Sequence, residues 1–270
     1  LDIGSTTIKC VVLGEQDEII FSSYERHLSR IVEMTAAYLR RIAEQTGETE
    51  MHISISGSAG MGLAEALGIP FAQEVYSTRA AVSRLNPDTD VVIELGGEDA
   101  KIIYFESGNI EQRMNGICAG GTGSFIDQMA SLVQTDATGL NEYAKSYKAI
   151  YPIAARCGVF AKTDIQPLIN EGATKEDLAA SIFQAVVNQT ISGLACGKPI
   201  RGHVAFLGGP LHFLSELKAC FIRTLNLDDE HIIAPEHSHL FAAMGSALNY
   251  KEDSKKSLTE ILTDLEGDLH

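Results

Sequence analysis

Two cysteines in glycine-rich surroundings are the residues of this chain whose types and spacing most directly suggest chemistry. Cys118 lies in NGICAGGTGSF, residues 115–125, and Cys157 lies in ARCGVF, again just before a glycine. Each precedes a run with helical periodicity, so each is predicted to stand close to the start of a helix. A helix N-terminus carries partial positive charge and free N–H groups, which stabilise a thiolate and the negative charge of a thiolate-ligated cluster.

Two cysteines cannot complete a four-thiolate shell, so such a centre would be shared between two copies of the chain. Two other interpretations fit the same residues, namely a pair of buried thiols or a zinc ion held by four cysteines across a dimer. The remaining cysteines, Cys10, Cys196 and Cys220, lie in apolar segments and are predicted to be buried thiols. Five cysteines without clustered disulfide spacing indicate a reducing, cytoplasmic compartment.

An internal repeat supplies a second set of candidate residues. LDIGSTTIKCVVL at 1–13 resembles IELGGEDAKIIYF at 93–105, with matched residues 92 positions apart. Each copy reads as a strand, an acid, a glycine turn and a second strand, which predicts a β-hairpin. Two such hairpins indicate two related lobes, whose loops we expect to face each other across a cleft. The match pairs acid with acid, glycine with glycine and lysine with lysine: Asp2 with Glu94, Gly4 with Gly96, and Lys9 with Lys101.

An acid beside glycine and hydroxyl residues at a hairpin tip suits Mg²⁺–phosphate chemistry. Glycine lets the backbone approach a phosphate, successive N–H groups form an anion-binding nest, and a carboxylate holds hydrated Mg²⁺. We expect Asp2 and Glu94 to position the metal ion or an attacking water. A single copy would be read as an ordinary hairpin turn, but two matched copies favour phosphate binding. The phosphate-binding candidates are Gly4, Ser5, Thr6, Thr7 and Lys9 in the first copy, and Gly96, Gly97 and Glu98 in the second.

These candidates must be positioned by an α/β chain. Alternating apolar or β-branched runs predict strands at 8–13, 18–23, 52–56, 91–95, 101–105 and 203–207. Helical periodicity predicts helices at 28–46, 73–85, 123–134, 164–170, 176–197, 212–225 and 239–250.

A third glycine element, VAFLGGP at 204–210, is predicted to end a strand with its backbone flat against a base or ribose. Taken alone it would be an ordinary strand-to-helix turn. With the two hairpins in this order, the set resembles the phosphate-1, phosphate-2 and adenosine segments of the actin, sugar-kinase and DnaK-type ATPase superfamily. That resemblance implies duplicated ribonuclease H-like lobes, adenosine contacts from Gly208, Gly209 and Pro210, and a last connecting helix at 239–250 with Gly245 at a close crossing.

Within that superfamily, NGICAGGTGSFIDQMA and CGVFAKTDIQPLI resemble the activases of 2-hydroxyacyl-CoA dehydratases and benzoyl-CoA reductases, over about residues 1–250. The resemblance implies a homodimer sharing one [4Fe–4S] cluster, with Cys118 and Cys157 as ligands from each copy. It also implies ATP hydrolysis coupled to transfer of a low-potential electron, under anaerobic conditions, to a partner dehydratase or reductase. The GTG segment, which is Gly121, Thr122 and Gly123, would face the nucleotide.

The chain departs from that family at three places. Glu94-Leu-Gly-Gly-Glu98 replaces the usual Asp-Ile-Gly-Gly-Gln, and Lys162 stands in a region that is often acidic. The adenosine segment continues as GGPLHF, where small or polar residues usually follow the glycines. These departures resemble long activase-like proteins in which the ATPase is fused to a dehydratase-like part, so both a fused and a separate partner remain open.

Composition limits the partners. The net charge is −15 over 270 residues, which argues against nucleic acid and anionic membranes as the main partners. We find no apolar run of spanning length and no signal peptide, so neither a membrane span nor secretion is predicted.

We expect the first lobe at 1–90 plus 236–250, the second at 91–235, and a tail or further domain at 251–270. Two other functions fit a chain of this fold, a small-molecule kinase of the amino-sugar type and a non-redox nucleotide-binding scaffold.

Overall fold

The computed structural model describes residues 1–47, 50–106, 109–115, 120–154, 158–250 and 255–267. Its strands are β1 (Asp2–Ile3), β2 (Thr7–Leu13), β3 (Ile19–Arg26), β4 (Glu50–His52), β5 (Val91–Leu95), β6 (Ala100–Glu106), β7 (Asn109–Met114), β8 (Val204–Leu207), β9 (Ile232–Ile233) and β10 (Lys255–Ser257). Its α-helices are α1 (Ile31–Thr46), α2 (Met61–Ala66), α3 (Glu74–Leu85), α4 (Gly123–Leu132), α5 (Ala137–Ala144), α6 (Gly158–Asn170), α7 (Lys175–Thr190), α8 (Gly209–Phe213), α9 (Ser215–Leu225), α10 (Phe241–Leu248) and α11 (Leu258–Gly267).

The chain divides into two compact units. The first unit is Leu1–Pro87 together with Leu240–His270, and the second is Asp88–His239. The fold is the mixed α/β architecture that the alternating and helical patterns of the sequence predict.

The first unit contains an antiparallel sheet in the order β1-β2-β3 and a separate antiparallel pair, β4 with β10. Helix α11 contacts α1 and contributes Leu258, Ile261 and Leu265 to the apolar core. These three residues recur at helical spacing, so α11 has one apolar face to bury. Residues 255–267 therefore pack as part of the first unit.

Helix α10 packs closely against α3. A Cβ atom built on Gly245 would lie 1.6 Å from the carbonyl oxygen of Ser77, so no larger residue fits between the two backbones. The close crossing predicted at Gly245 is confirmed.

The second unit contains a five-stranded sheet in the order β7-β6-β5-β8-β9. Strands β7, β6 and β5 form an antiparallel meander, whereas β5, β8 and β9 run parallel. The register pairs Glu94 of β5 with Leu207 of β8. Because parallel neighbours end at the same edge of a sheet, the turn after β5 and the Gly208–Gly209 segment after β8 leave the sheet side by side.

The segment Lys175–Ala195, which joins α7 to one turn of π-helix at Ile191–Ala195, is long and apolar enough to cross a membrane by length and composition. In the best window, however, 67% of the segment is buried inside the protein. Phe183, Val186 and Val187 lie fully inside the core of the second unit. This pattern is that of a central core helix.

Several elements of the second unit differ from the sequence prediction, including α5 and β9, for which no helix or strand was predicted. The helix expected at 212–225 is broken at Leu214 into α8 and α9, because the Asn141 side chain of α5 accepts a hydrogen bond from the Glu216 N–H and caps the new helix. Strand β7 was not predicted, since NIEQRM has little apolar character, but β6 supplies its hydrogen-bonding partner.

Candidate functional site

The two repeated hairpins share one strand register. Asp2 lies directly opposite Lys9 in the β1–β2 pair, and Glu94 lies directly opposite Lys101 in the β5–β6 pair. The sequence match at a shift of 92 residues is thus a match of structure, and the hairpin interpretation is confirmed at both places.

Asp2 is fully buried at the first turn and is held by two side chains. The Lys9 Nζ atom lies 2.6 Å from Asp2 Oδ2, and the Ser56 hydroxyl donates a hydrogen bond of 3.0 Å to Asp2 Oδ1. Burial alone would lower the pKa of Lys9, but the charge of Asp2 and its hydrogen bond outweigh burial and raise the pKa. Lys9 therefore remains a cation and serves as the counter-ion of Asp2.

The first turn presents backbone amides at its tip. The Gly4 N–H donates to the Thr7 carbonyl at 2.9 Å, which closes a two-residue loop of Ser5 and Thr6. Ser5 is exposed and Thr6 half-buried, and their N–H groups have no acceptor among the described residues. Free, adjacent amides of this kind are suited to binding an anion such as phosphate.

The second turn repeats this closure but has a different charge arrangement. The Gly96 N–H donates to the Asp99 carbonyl at 2.8 Å, which leaves Gly97 and Glu98 at the tip. The buried Lys101 Nζ lies 2.7 Å from Asp99 Oδ2 and 3.9 Å from Glu94 Oε1. The nearer acid is thus Asp99, which the sequence analysis did not identify, and Glu94 makes the longer contact.

The start of helix α4 is attached to the second turn. The Gly123 N–H donates to Gly96 O at 3.0 Å, and the Ser124 N–H donates to Gly97 O at 2.7 Å. A Cβ atom on Gly123 would lie 3.1 Å from Gly96 O and 3.4 Å from Pro210 Cγ. Three segments that the sequence singled out separately, 96–98, 121–123 and 208–210, therefore meet in the second unit.

Two glycines at this meeting point adopt backbone conformations that other residues rarely reach. Gly121 has φ +84°, and Gly208 has φ +91°. The Gly208 N–H donates to Ser238 O at 3.0 Å, and a Cβ atom on Gly208 would lie 2.0 Å from Leu95 O. Glycine is required at position 208 because the backbone lies directly against the end of β5.

Asn115 holds the strand end that precedes Cys118. Its backbone N–H donates to Ala100 O at 3.0 Å, and its Oδ1 atom accepts a 2.7 Å hydrogen bond from the Ala100 N–H. Its Nδ2 atom also lies 3.4 Å from Glu98 O. The second turn is therefore tied to the chain on both sides of residues 116–119.

Cys118 and Cys157, the predicted cluster ligands, lie outside the described residues. Cys10 and Cys220 are buried thiols as predicted, and burial raises the pKa of Cys10 to about 11 and also raises the pKa of Cys220. The prediction is wrong for Cys196, which is exposed. The π-helical turn ends at Cys196 in a left-handed conformation, φ +47°, and this places the residue at the surface.

Within the described ranges, no group of three or more His, Cys, Asp or Glu side chains could hold a metal ion by itself. Asp2 in the first unit and Glu94 in the second are each a buried carboxylate that fits hydrated Mg²⁺ by itself, because Mg²⁺ keeps most of its waters and needs as few as one carboxylate.

The family of the chain follows from its similarity to known proteins. Residues 1–248 match the model of the BadF/BadG/BcrA/BcrD ATPase family. The chain is 31% identical over 216 residues to the (R)-2-hydroxyglutaryl-CoA dehydratase activating ATPase of Acidaminococcus fermentans, covering 77% of this chain and 81% of that protein.

Two solved structures are also similar. Component A of the same organism's (R)-2-hydroxyglutaryl-CoA dehydratase superposes with a TM-score of 0.82 at 25% identity, over 94% of this chain and 96% of the other. The activator of the 2-hydroxyisocaproyl-CoA dehydratase from Clostridium difficile, with bound ADPNP, gives a TM-score of 0.77 at 25% identity, over 98% and 96%. The fold is therefore the predicted actin-like ATPase fold, and the chain belongs to the BadF/BadG/BcrA/BcrD ATPase family.

Proposed function

We propose that this chain is an ATP-hydrolysing iron–sulfur activator that delivers a low-potential electron to a 2-hydroxyacyl-CoA dehydratase or a related acyl-CoA reductase. The observation that carries the proposal is the pair of matched hairpin turns, each with a buried acid opposite a lysine and with backbone amides at its tip. Similarity to named dehydratase activators supports the choice of partner. The partner is a separate protein or a fused domain, in the reducing, anaerobic cytoplasm.

In this proposal each turn binds phosphate oxygens of ATP. The tip amides of Ser5 and Thr6 and those of Gly97 and Glu98 supply hydrogen bonds to charge that grows during phosphoryl transfer. Asp2 orients hydrated Mg²⁺ or the attacking water, and Lys9 and Ser56 hold its carboxylate in a fixed direction. Glu94 has the same role at the second turn, where it lies directly opposite Lys101 in the strand register.

The remaining nucleotide contacts in the proposal come from the segments around the second turn. Gly121, Thr122 and Gly123 contribute the start of α4, which is bonded to Gly96 and Gly97. Gly208, Gly209 and Pro210 provide a flat backbone surface for adenosine, since a side chain at position 208 would strike Leu95. Thr7 and Lys9 support the first turn from the beginning of β2.

Cys118 and Cys157 are the proposed ligands of a [4Fe–4S] cluster shared across a homodimer. When bound, the cluster supplies one-electron transfer at low potential. The described neighbours support a second copy of the chain at this place: Met114, Val159 and Phe160 are 54%, 71% and 63% exposed, and they flank the two cysteine segments. Apolar side chains so exposed are stabilised when a partner surface covers them.

The hydrogen bonds around residues 116–119 support coupling between nucleotide and cysteine. Asn115 on one side and Gly123 and Ser124 on the other are all bonded to residues 96–100. Any shift of the second turn between nucleotide states therefore acts on both ends of the segment that contains Cys118.

The experiment is iron and sulfide analysis of anaerobically prepared protein, with wild type compared with the Cys118→Ser/Cys157→Ser double variant. We expect about four irons and four sulfides per dimer in the wild type and almost none in the double variant. Cys196→Ser is the matched control, because Cys196 is an exposed cysteine of the same unit and should leave iron unchanged. Iron that survives the double substitution, or zinc in place of iron and sulfide, refutes the cluster assignment.

A further inference from the structure

Each hairpin turn has an equivalent carbonyl group that accepts a hydrogen bond, but the donor differs between the two turns. In the second turn, Gly96 O accepts a 3.0 Å hydrogen bond from the Gly123 N–H. In the first turn, Gly4 O lies 3.0 Å from His27 Nε2. Gly4 and Gly96 are matched by the repeat, so the His27 imidazole occupies the role that a helix amide has in the other unit.

This carbonyl determines where the next amide points. In a planar trans peptide, the C=O and the following N–H point in opposite directions. When Gly4 C=O points inward to His27, the Ser5 N–H points away from the protein, and Gly96 C=O fixes the Gly97 N–H in the same manner. The donor behind each turn therefore aims one of the tip amides outward, where it can meet an anion.

The backbone N–H and both ring nitrogens of His27 are hydrogen-bonded. The residue is 5% exposed, and its backbone N–H donates to Thr6 O at 3.2 Å. The Ser29 N–H donates to His27 Nδ1 at 3.1 Å, so Nδ1 is the acceptor and the ring proton lies on Nε2. Nε2–H is therefore the donor to Gly4 O, and the tautomer is set by the backbone.

The backbone after His27 is strained in order to make this contact. Leu28 and Ser29 have φ +47° and +64°, two consecutive non-glycine residues in the left-handed region. Such a conformation is unfavourable for residues with a Cβ atom and persists where the surroundings impose it. The strain places the Ser29 N–H on His27 Nδ1, and this links the unusual backbone to the ring orientation.

We propose that His27 is a positioning residue that aims the Ser5 amide at a phosphate group of the bound nucleotide. The proposal rests on the proposed function, since it takes the ligand of the first turn to be the phosphates of ATP or ADP. His27 touches neither metal nor phosphate, and it acts through the Gly4–Ser5 peptide.

The test compares His27→Gln with His27→Asn in the full chain, by calorimetric titration with ADP·Mg²⁺ and with adenosine. The Gln amide reaches the position of Nε2 and can still donate to Gly4 O, whereas the Asn amide reaches only the position of Nδ1. We expect His27→Asn to weaken ADP binding about 3- to 10-fold, the effect of one lost hydrogen bond, and to leave adenosine binding unchanged. His27→Gln should bind ADP within about twofold of wild type.

Leu39→Ala is the control for a purely structural effect, because Leu39 is an apolar side chain buried in α1 of the same unit and cannot donate a hydrogen bond to Gly4 O. It should lower the melting temperature without changing the ratio of ADP to adenosine affinity. The role of His27 is overturned if His27→Asn keeps the wild-type ratio of ADP to adenosine affinity, or if Leu39→Ala changes that ratio as much as His27→Asn does. Neither result would overturn nucleotide binding itself. If wild-type protein binds no ADP·Mg²⁺, the proposed function fails and the role of His27 fails with it.

Discussion

Gly208 offers the sharpest test of how the second unit is built, because another glycine provides a control. Gly208 has φ +91° and ψ 161°, and a Cβ atom there would lie 2.0 Å from Leu95 O. Gly172, in the same unit, has φ +86°, but a Cβ atom built there would meet nothing within 4 Å. Alanine at both positions therefore imposes a positive φ on a residue with a Cβ atom, and only alanine at 208 also collides with the backbone.

The size of each effect can be worked out from these two contributions. Alanine at Gly172 costs about 1–2 kcal/mol of left-handed strain, and a gain of about 0.4–1 kcal/mol from the stiffer unfolded chain offsets part of it. We therefore expect a net loss of roughly 0.5–1 kcal/mol from Gly172→Ala. Gly208 combines φ +91° with ψ 161°, a region that essentially only glycine occupies, so alanine there costs about 1–3 kcal/mol of strain. It must also displace the end of β5, an overpacking cost of about 1–3 kcal/mol, so the total should be about 2–5 kcal/mol.

The assay is urea unfolding of wild type and both variants, followed by circular dichroism, with calorimetric titration of ADP·Mg²⁺ beside it. Gly208→Ala should lower the unfolding midpoint clearly more than Gly172→Ala does, and only Gly208→Ala should weaken nucleotide binding. Equal midpoints for the two variants would refute the close approach of residue 208 to β5. If Gly208→Ala unfolds at the same urea concentration as wild type, the positive φ of residue 208 is refuted as well.

Two further predictions concern charged groups. Asp2→Asn should reduce ATP hydrolysis by at least about 100-fold. It should also destabilise the first unit by about 1.5–3 kcal/mol, because the partly buried Lys9 ammonium loses its charged hydrogen-bond partner. Steady-state phosphate release and thermal unfolding measure the two effects, and unchanged hydrolysis would contradict the role of Asp2. Asp17→Asn, at an exposed ion pair of the same unit, is its control. The hydrogen bond and charge of Asp228 raise the pKa of His231 above 6.5, and the same contact lowers the pKa of Asp228 below 3.8. Near pH 5–6 the melting temperature of wild type should therefore be higher than that of Asp228→Asn. This difference in melting temperature should vanish as the pH rises through the raised pKa of His231 or falls through the lowered pKa of Asp228. A difference in melting temperature that does not depend on pH would contradict this coupling.

The sequence could predict those site residues that lie close together in the chain and recur in a fixed pattern. The segments 1–13 and 93–105 each contain an acid, a glycine turn and a lysine at the same spacing. Because the strand register is also the same, Asp2 pairs with Lys9 and Glu94 pairs with Lys101. Gly245 and the glycines at 208 and 209 could also be identified, because glycine at a helix crossing or strand end indicates backbone approaching backbone.

The residues that could not be predicted are those brought to the turns by tertiary structure. Ser56 is 54 positions from Asp2 and reaches it because the chain at 56 runs beside β1, as their bridge shows. His27 is 23 positions from Gly4 and follows a strand whose own pattern says nothing about a turn. Asp99 lies inside the predicted motif, but the sequence alone does not say which of three neighbouring acids approaches Lys101 most closely.

The comparison of the two turns indicates how a repeated element acquires two roles. Both turns keep the same register and the same two-residue tip, and the difference lies in the group that holds the matched carbonyl. In the first unit that group is the His27 side chain, whose position is set by its own strained backbone, so the turn is a fixed support. In the second unit it is the first amide of α4, and the chain just before α4 contains Cys118, with Asn115 bonded to the same turn from the other side. Under the proposed function, a change in phosphate occupancy at the second turn would act through these backbone hydrogen bonds on both ends of the segment that contains Cys118. The described contacts of the first turn include no such path. If the chain couples ATP hydrolysis to electron transfer, we infer that the coupling runs through Gly96 and Gly97, and that the first turn contributes to catalysis by positioning alone.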